Sequence, residues 1–453
     1  MNTDNEHLLD KEDELPQKSI GTKIFTLEEL RSDTTSEIDE ELNSQEFKFG
    51  FEPKRFLMLG IYTSVLFMNQ LAFNTLYYND PSQSLYMPGI FFLALFTTTT
   101  TWIGKQGMYR NTLMAIIIQM FALLFAIKGG SYGRIAGSIL NGISMPFLFN
   151  QIVTFSASWF GVRGRILSTG TLLLGLNLGY WTAQWAVYNT VSPAYFDDAF
   201  LGIGLVNLFL VFIVGFFFHP QPQTCPAKSQ TIYKRVEFDY MRDLEIFKED
   251  APFKKGFAQL SSLLIFTYFS PYSLRWHYAK IIDPRSDIVA IHNVIVPLAQ
   301  LGGIVASTIL LAKFLQFKKQ IVFCIWANVL CIIICEIGLL DSSNVLYYIG
   351  YISEGFFIGT LQILIYEQVA ELSFPISPTI SVSCLNLVAM TSVLVLTTIS
   401  DVINRRNFSS SVINDCFQFI MAGILAFLGV TMWQLEYRLK RIDFDLNDGQ
   451  HRQ

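Results

Sequence analysis

Long apolar runs recur along the chain and constrain its fold more than any other feature. From residue 53 onward, stretches of roughly 20 mostly apolar residues alternate with polar segments, and that length crosses about 30 Å of hydrocarbon as a helix. Hydrophobic residues make up 51% of the 453 residues and charged residues only 15%. Twelve runs reach this length, near 56–76, 86–104, 111–128, 134–158, 166–188, 199–218, 257–281, 288–312, 320–340, 345–369, 378–400 and 413–436. The sequence therefore predicts an all-α membrane protein with twelve transmembrane helices.

Three polar segments flank or interrupt these runs. The first is rich in Asp, Glu and Ser and has too few apolar residues to form a core, so we expect it to be disordered. The second separates the sixth run from the seventh and carries charges and prolines. The predicted organisation is a disordered cytosolic tail over 1–52, a six-helix bundle over 53–218, a cytosolic linker over 219–255, a second six-helix bundle over 256–437 and a cytosolic tail over 438–453.

Basic residues collect in alternate loops. If the N-terminus is cytosolic, most lysines and arginines near the spans fall on the cytosolic side, which is the side that the positive-inside rule favours. The stretch "SASWFGVRGRILSTG" shows the pattern, with Arg163 and Arg165 between the fourth and fifth runs. Because a charge in hydrocarbon is costly, we expect both arginines in a short turn at the cytosolic surface. Both termini are then predicted to be cytosolic.

The order of six spans, a long linker and six more spans is typical of the major facilitator fold. In that fold two six-helix bundles surround a central path and are related by an axis along the membrane normal. The sequence pattern thus predicts this fold, and with it a solute path between the bundles.

Two longer stretches resemble one family of that fold. "NGISMPFLFNQIVTFSASWFGVRGRILSTGTLLLGLNLG", residues 141–179, resembles the fourth and fifth helices of the feline leukaemia virus subgroup C receptor-related transporters, solute carrier family 49. "EGFFIGTLQILIYEQVAELSFPISPTISVSCLNLVA", residues 354–389, resembles the tenth and eleventh helices of the same family. The resemblance implies a facilitator for choline or ethanolamine. Haem export and a vitamin B6-related lysosomal activity are attributed to other relatives.

The resemblance also implies a substrate site. The family's aromatic positions fall at Phe73 and near Trp276, where the rings would bind a quaternary ammonium by cation–π attraction, on the order of 1–2 kcal/mol when desolvated. Its amide position falls at Asn177, whose side chain would bind the hydroxyl end of the solute. Met390 stands where relatives carry a second amide. Phe73 replaces the usual Trp and Asn177 the usual Gln, so this site departs from the family pattern.

Amides within apolar spans indicate either a wet cavity or a bond between helices, because an amide in hydrocarbon needs a partner. Asn177 lies in the stretch "LGLNLG", made otherwise of Leu and Gly, and both interpretations apply to it. Asn69 in the first span raises the same alternative, as do Gln70 and Asn141.

Ionisable residues within spans are the other informative class, since they usually face a partner or water. Glu354 lies inside the tenth span and is either a proton-coupling or cation-attracting carboxylate or a structural partner of another span. Arg275 or His277 could pair with it as a gate, although snorkelling to the interface also explains them. Glu367 and Glu371, one turn apart near a cytosolic helix end, are either a gate pair or a plain interface pair.

The N-terminal stretch "DNEHLL" resembles an acidic dileucine sorting signal, with Asp4 four residues before Leu8 and Leu9. It predicts recognition by cytosolic sorting adaptors and an endolysosomal or vacuolar membrane. The plasma membrane is the alternative location if the match is incidental.

Several function classes find no support in the sequence. It shows no phosphate-binding glycine loop, no nucleophile paired with a base, no metal-ligand spacing and no basic, aromatic-laced patch for nucleic acid. We therefore predict no enzyme activity and no cofactor. The expected partners are the lipid bilayer and a small-molecule substrate that is choline-like or ethanolamine-like. The alternatives are an exporter of haem or a vitamin-like solute in an endolysosomal membrane, and a membrane receptor or scaffold that transports nothing.

Overall fold

The structure is a computed structural model of the chain. It describes residues 52–78, 100–189, 196–219, 221–222, 226–227, 229–230, 251–281, 288–341, 343–374, 376–405, 411–434 and 439–446. Every regular element in these ranges is a helix, as the all-α prediction requires. Most of the second predicted span, 86–104, lies outside the described residues.

Fourteen helices are present in these ranges. They are α1 Lys54–Tyr78, α2 Thr100–Lys128, α3 Gly130–Ser144, α4 Pro146–Phe149, α5 Ile152–Trp159, α6 Val162–Asn189, α7 Phe196–Phe217, α8 Ala251–Ile281, α9 Ile288–Phe314, α10 Phe317–Leu340, α11 Asn344–Ser373, α12 Pro378–Arg405, α13 Ser411–Gln434 and α14 Lys440–Leu446. Helix α2 is kinked at Gly107, whose φ of 77° suits glycine.

The helices form two groups on either side of the connection between α7 and α8. Helices α1 to α7 pack with one another as the first bundle, and α8 to α13 pack with one another as the second bundle. Contacts between the bundles include α6 with α9 and α11, and α12 with α2 and α5. We call the side where α7 ends and α8 begins the linker side, and the opposite side the far side. The turns from α5 to α6 and from α11 to α12 also lie on the linker side.

The fourth predicted span is broken in the structure. The sequence predicts one helix over 134–158, whereas α3, α4 and α5 occupy this region with breaks after Ser144 and at Asn150 and Gln151. Pro146 begins α4 and lacks the N–H that would continue the helix from α3. The N–H of Gln151 bonds to the carbonyl of Leu148 at 3.1 Å, which is a tighter turn than an α-helix. Asn150 and Gln151, which lie at the break, are both buried.

The outer surface is apolar on several helices. Seven helices of the described ranges are long and apolar enough to cross a membrane, namely α1, α2, α7 and α9 to α12. Large apolar side chains on α7, α10 and α13 point outward, among them Phe209, Phe216, Phe323, Phe427 and Trp433. Such a surface is stable against lipid and not against water. Helices α6 and α8 are long enough but less apolar.

Candidate functional site

Helix α6 lies at the boundary of the two bundles, and its glycines allow close packing on both sides. A Cβ at Gly175 would collide with Thr63 of α1, and one at Gly179 with the backbone of Phe67. At Gly170, a Cβ would collide with Thr308 of α9, in the other bundle. The middle of α6 is thereby held within contact distance of both bundles.

Asn177, near the middle of α6, bonds across this boundary. Its Nδ2 donates to the side-chain Oε1 of Gln362 on α11 at 3.0 Å, and to the carbonyl of Leu173 in its own helix at 2.8 Å. Asn177 and Gln362 are each 6% exposed. The structure therefore gives the predicted amide a partner from the second bundle. Gln362 was not predicted from the sequence as a site residue. It is an amide in an apolar run, which is the same signal that identified Asn177.

Trp181 lies one turn beyond Asn177 toward the far side and on the same face of α6. Its Nε1 donates to the carbonyl of Val294 on α9 at 3.0 Å, and its ring stacks on Trp185. The bond fixes the indole at the boundary of the bundles. An aromatic ring and two amides thus share this boundary, and sequence reasoning missed Trp181 because tryptophan is also common at membrane interfaces.

A second set of neutral polar residues joins the bundles near the broken span. Asn386 of α12 donates from Nδ2 to Oδ1 of Asn150 at 3.0 Å, and accepts at its own Oδ1 from the Tyr366 hydroxyl at 2.8 Å. The hydroxyls of Thr154 on α5 and Thr379 on α12 are 2.7 Å apart. The helix break thus positions Asn150 to bond with the second bundle.

Glu354 is buried between α8 and α11 of the second bundle. Its Oε1 accepts a short hydrogen bond from the Ser270 hydroxyl, and its residue exposure is 1%. Its Oε2 has no hydrogen-bond partner among the residues that the structure describes. The side chains of Arg275, Trp276 and His277 lie outside the described residues. The structure therefore gives Glu354 a hydrogen-bond partner in α8, and its role stays a prediction.

Three other predicted site residues are buried. Asn69 donates from Nδ2 to the Ser144 hydroxyl at 2.8 Å and to Oε1 of Gln119 at 3.4 Å. These bonds hold α1 to α2 and α3 within the first bundle. Phe73 and Met390 belong to the main hydrophobic cluster. The described contacts of Asn69 therefore connect it to its own bundle. Asp4, Leu8 and Leu9 lie outside the described residues.

Five charged side chains form a cluster on the linker side. Arg441 of α14 binds both α11 carboxylates, with Nε 2.7 Å from Oε1 of Glu371 and Nη2 3.1 Å from Oε2 of Glu367. Arg165 of α6 lies 3.7 Å from Glu371 and 3.4 Å from Asp445 of α14. All five side chains are at most 2% exposed. We call them the linker-side charge cluster. It joins α6, α11 and α14, and hence both bundles and the C-terminal segment.

Further hydrogen bonds complete this cluster. The backbone N–H groups of Arg441 and Ile442 donate to Oε2 of Glu371 at 3.1 and 3.0 Å, so this carboxylate serves two amides in the first turn of α14. Asp445 accepts from the N–H and hydroxyl of Ser229, in the connection between the bundles, at 2.8 and 3.0 Å. Thr169 of α6 donates to Glu367.

The position of Arg165 corrects the sequence-based expectation. Arg163 is exposed, as expected of a surface turn, but Arg165 lies in the first turn of α6 and is 1% exposed. Burial is possible because Glu371 and Asp445 neutralise it, and these residues are far away in sequence. Glu367 and Glu371 join the bundles through these bonds. The sequence around Arg441 did not indicate that it is buried and paired, because its neighbours are those of an ordinary basic residue in a cytosolic tail.

Comparison with known proteins identifies the fold. No protein-family model matches the sequence, and no curated protein matches it significantly. Solved structures do match. A variant of the Escherichia coli fucose:proton symporter has a TM-score of 0.62 at 10% identity, over 85% of this chain and 100% of that chain. The chain has the major facilitator fold.

Two further structures agree. A major facilitator superfamily transporter solved in the outward conformation matches with a TM-score of 0.63 at 11% identity, over 85% of this chain and 100% of that chain. The proton:xylose symporter bound to 6-bromo-6-deoxy-D-glucose matches with a TM-score of 0.61 at 10% identity, over 87% of this chain and 98% of that chain. The predicted fold class is confirmed, and the chain is a multi-pass membrane protein.

Proposed function

We propose that this protein is a secondary carrier that moves a small organic solute by alternating access, with the solute site at the Asn177–Gln362 pair. The observation that carries the proposal is this bond between amides of opposite bundles. In the major facilitator fold, substrate sites lie near the membrane midplane at the interface of the two repeats. Asn177 and Gln362 lie near the middle of their helices at that interface, and their amides can exchange partners with a solute.

Within this class, we propose a choline-like or ethanolamine-like solute. The resemblance to the solute carrier family 49 transporters suggested it, and Trp181 supports it. An indole face is the best aromatic partner for a quaternary ammonium, and cation–π attraction is worth about 0.5–2 kcal/mol. The amides of Asn177 and Gln362 lie one turn away and would bind the hydroxyl group. Trp276 and Phe73 stay predictions as further aromatic contacts.

A neutral, hydroxyl-rich solute is the second candidate. It is favoured by the chemistry of the described side chains that bond between the bundles outside the linker-side charge cluster. Apart from the Trp181 indole, these are amides and hydroxyls, as at Asn150, Thr154, Thr379 and Asn386. Neutral hydrogen-bonding groups suit a neutral polyol as well as the hydroxyl end of choline.

We further propose that Glu354 couples transport to protons. It is buried against α8, and its Oε2 lacks a partner among the described residues. A carboxylate in such surroundings can carry a proton through the transport cycle at lower cost than a permanent charge. The charge cluster does not suit this role, because its carboxylates are committed to Arg165 and Arg441.

We propose that the linker side is cytosolic, which the basic residues of its loops support. The membrane in which the carrier works stays open between the plasma membrane and the endolysosomal system. The sorting signal at Asp4, Leu8 and Leu9 is the sequence feature that favours the latter.

The test is uptake into liposomes that contain the purified protein. Labelled choline, ethanolamine and a neutral hexose are compared with and without an imposed pH gradient. We expect saturable choline uptake that falls in Asn177→Ala and Trp181→Leu. The matched controls are Asn328→Ala, an amide that bonds to the Cys324 carbonyl in its own helix, and Trp326→Leu, an exposed indole on α10.

The other outcomes are equally informative. Hexose uptake with the same dependence on Asn177 would replace the choline-like solute by a neutral one. Loss of the gradient effect in Glu354→Gln, with exchange of solute across the membrane unchanged, would support proton coupling. Folded protein that takes up none of the three solutes would contradict the proposed solutes and direct attention to haem, vitamin-like solutes or a receptor role.

A further inference from the structure

The C-terminal helix α14 binds residues from three parts of the chain. Arg441 pairs with the second bundle through Glu367 and Glu371, while Asp445 pairs with Arg165 of the first bundle and with Ser229 of the connection between the bundles. Ile442 is buried as well, at 3% exposure. A seven-residue segment next to the C-terminus therefore contacts both halves of the proposed carrier.

The ion pairs and hydrogen bonds of the cluster depend on α14. Without this helix, Glu367 and Glu371 would lose the Arg441 guanidinium that binds both of them, and Arg165 would lose its pair with Asp445. Removing one partner of a buried ion pair is strongly unfavourable, because it leaves an unpaired charge away from water. Arg441 pairs with both buried carboxylates of α11, and its backbone N–H bonds to Glu371 in addition. Closure of the linker side and binding of α14 thus favour each other.

The same contacts cannot survive separation of the bundles. Arg165 belongs to α6, and Glu371 belongs to α11. If the linker side opens, Asp445 cannot stay with Arg165 while Arg441 stays with Glu371, because α14 is too short to span a gap between them. Opening must therefore break at least one of these two contacts, that of Asp445 with Arg165 or that of Arg441 with Glu371.

We infer that α14 is a latch that holds the linker side closed and must release, at one end or entirely, for the solute path to open there. The inference rests on the proposed function, in which the bundles move apart. By linkage, anything that binds the C-terminal segment when it is released would favour the open state by the same factor. The segment Lys440–Leu446 is thus a regulatory element of the carrier.

The test follows the opening of the linker side directly and needs no substrate. Ser158 lies on α5, one turn beyond Thr154 toward the linker side, and is buried at 4% exposure. A Ser158→Cys reporter is placed in the full chain in lipid nanodiscs, and its labelling by a hydrophilic maleimide is timed by peptide mass spectrometry. We expect Arg441→Gln to speed labelling about tenfold, which corresponds to roughly 1.4 kcal/mol in the closed–open balance.

Two controls separate opening from unfolding and from a general charge effect. Cys335 is buried within the second bundle at 0% exposure, so it must stay unlabelled if the variant is folded. Arg163→Gln removes the same charge as Arg441→Gln from an exposed residue on the linker side and should leave the labelling rate unchanged. If Cys335 is also labelled in Arg441→Gln, that variant has unfolded. The labelling rate of the reporter in Asp445→Asn then tests the latch instead. That variant keeps the pair of Arg441 with Glu371, and its matched control is the exposed Asp443→Asn.

The latch would be overturned if the Ser158→Cys reporter is labelled no faster in Asp445→Asn, and in a folded Arg441→Gln, than in the chain without these changes. Faster labelling in these variants and in neither control would support it. The reporter works without uptake, so the two proposals fail separately. Labelling that responds to α14 in a protein with no uptake would support the latch and contradict the proposed solutes.

Discussion

The two bundles meet through two chemically different regions. On the linker side the contact is made by buried ion pairs among Arg165, Glu371 and their neighbours. Deeper in the protein it is made by single neutral hydrogen bonds, such as Asn177 with Gln362. Both regions join the same bundles, and both consist of buried polar groups.

The difference shows which contacts between the bundles can break one at a time. A neutral hydrogen bond contributes only about 0.5–1.5 kcal/mol net, because water or a solute can replace either partner. A buried ion pair stripped of one partner costs about 3–5 kcal/mol, because the remaining charge is unpaired. The ion pairs should therefore break together, and water should enter as they do. Each amide, in contrast, can exchange its hydrogen bond with the other amide for one with a solute.

The largest expected effect is that of Arg165→Gln. The change leaves the cluster with three carboxylates and one guanidinium, so we expect the free energy of unfolding to fall by about 3–5 kcal/mol. Thermal unfolding of the purified protein in detergent measures it. Arg163→Gln is the matched control, since Arg163 is exposed and its loss should change stability by less than about 0.5 kcal/mol. If both changes lower the free energy of unfolding equally, the buried cluster does not stabilise the protein more than an exposed arginine does.

The next effect is that of Gly170→Ala, where α6 meets α9. The added methyl group would collide with Thr308, whose hydroxyl is held by the Ile304 carbonyl at 2.6 Å. We expect the closed state to lose about 1–3 kcal/mol, as overpacking usually costs. Faster labelling of the Ser158→Cys reporter measures the loss. In Gly202→Ala the new methyl group meets open space, so the labelling rate should not change. No change in either variant would contradict the observed approach of α6 to α9.

A smaller effect is expected for the amide pair. Asn177→Ala and Gln362→Ala should each weaken solute affinity by about 0.5–1.5 kcal/mol, the net value of one hydrogen bond. The double variant should lose less than the sum of the two, because neighbouring residues that share a partner are not additive. The measurement is solute affinity from uptake kinetics. Full additivity would mean that the two amides do not act on one solute group.

The smallest effect is expected for the hydroxyl pair of Thr154 and Thr379. Replacing either by Val keeps the shape and removes one neutral bond between the bundles, so the closed state should lose about 1 kcal/mol or less. Reporter labelling should rise only a few-fold. Thr171→Val is the control, because its hydroxyl bonds within its own helix to Leu167. An effect as large as that of Arg165→Gln would remove the distinction between the two regions.

Much of the fold could be predicted from the sequence, and the exceptions have local causes. The apolar runs predicted helices near the positions where the described helices lie. The fourth span was wrong as a continuous helix, because hydropathy does not report backbone geometry. Pro146 was a signal that could have revealed the break, since proline removes a helix hydrogen bond.

The candidate site could be predicted only in part. Asn177 was identified because an amide stands out in the stretch "LGLNLG", which is otherwise Leu and Gly. Its partner Gln362 and the neighbouring Trp181 were missed, because amides and aromatics are frequent in the other spans too. The role of Arg441 was missed for a stronger reason, since it resembles the basic residues that flank any span.

The alternation of apolar and polar segments by itself determined that this is a helical membrane protein of the major facilitator fold. Burial in lipid acts on each run of about 20 residues separately, so it can be read locally. Which polar residues meet was decided only by the tertiary structure. Asn177 and Gln362 are 185 positions apart, and Arg165 and Asp445 are 280 apart. Pairing at such distances depends on how the two bundles dock, and no local pattern records it.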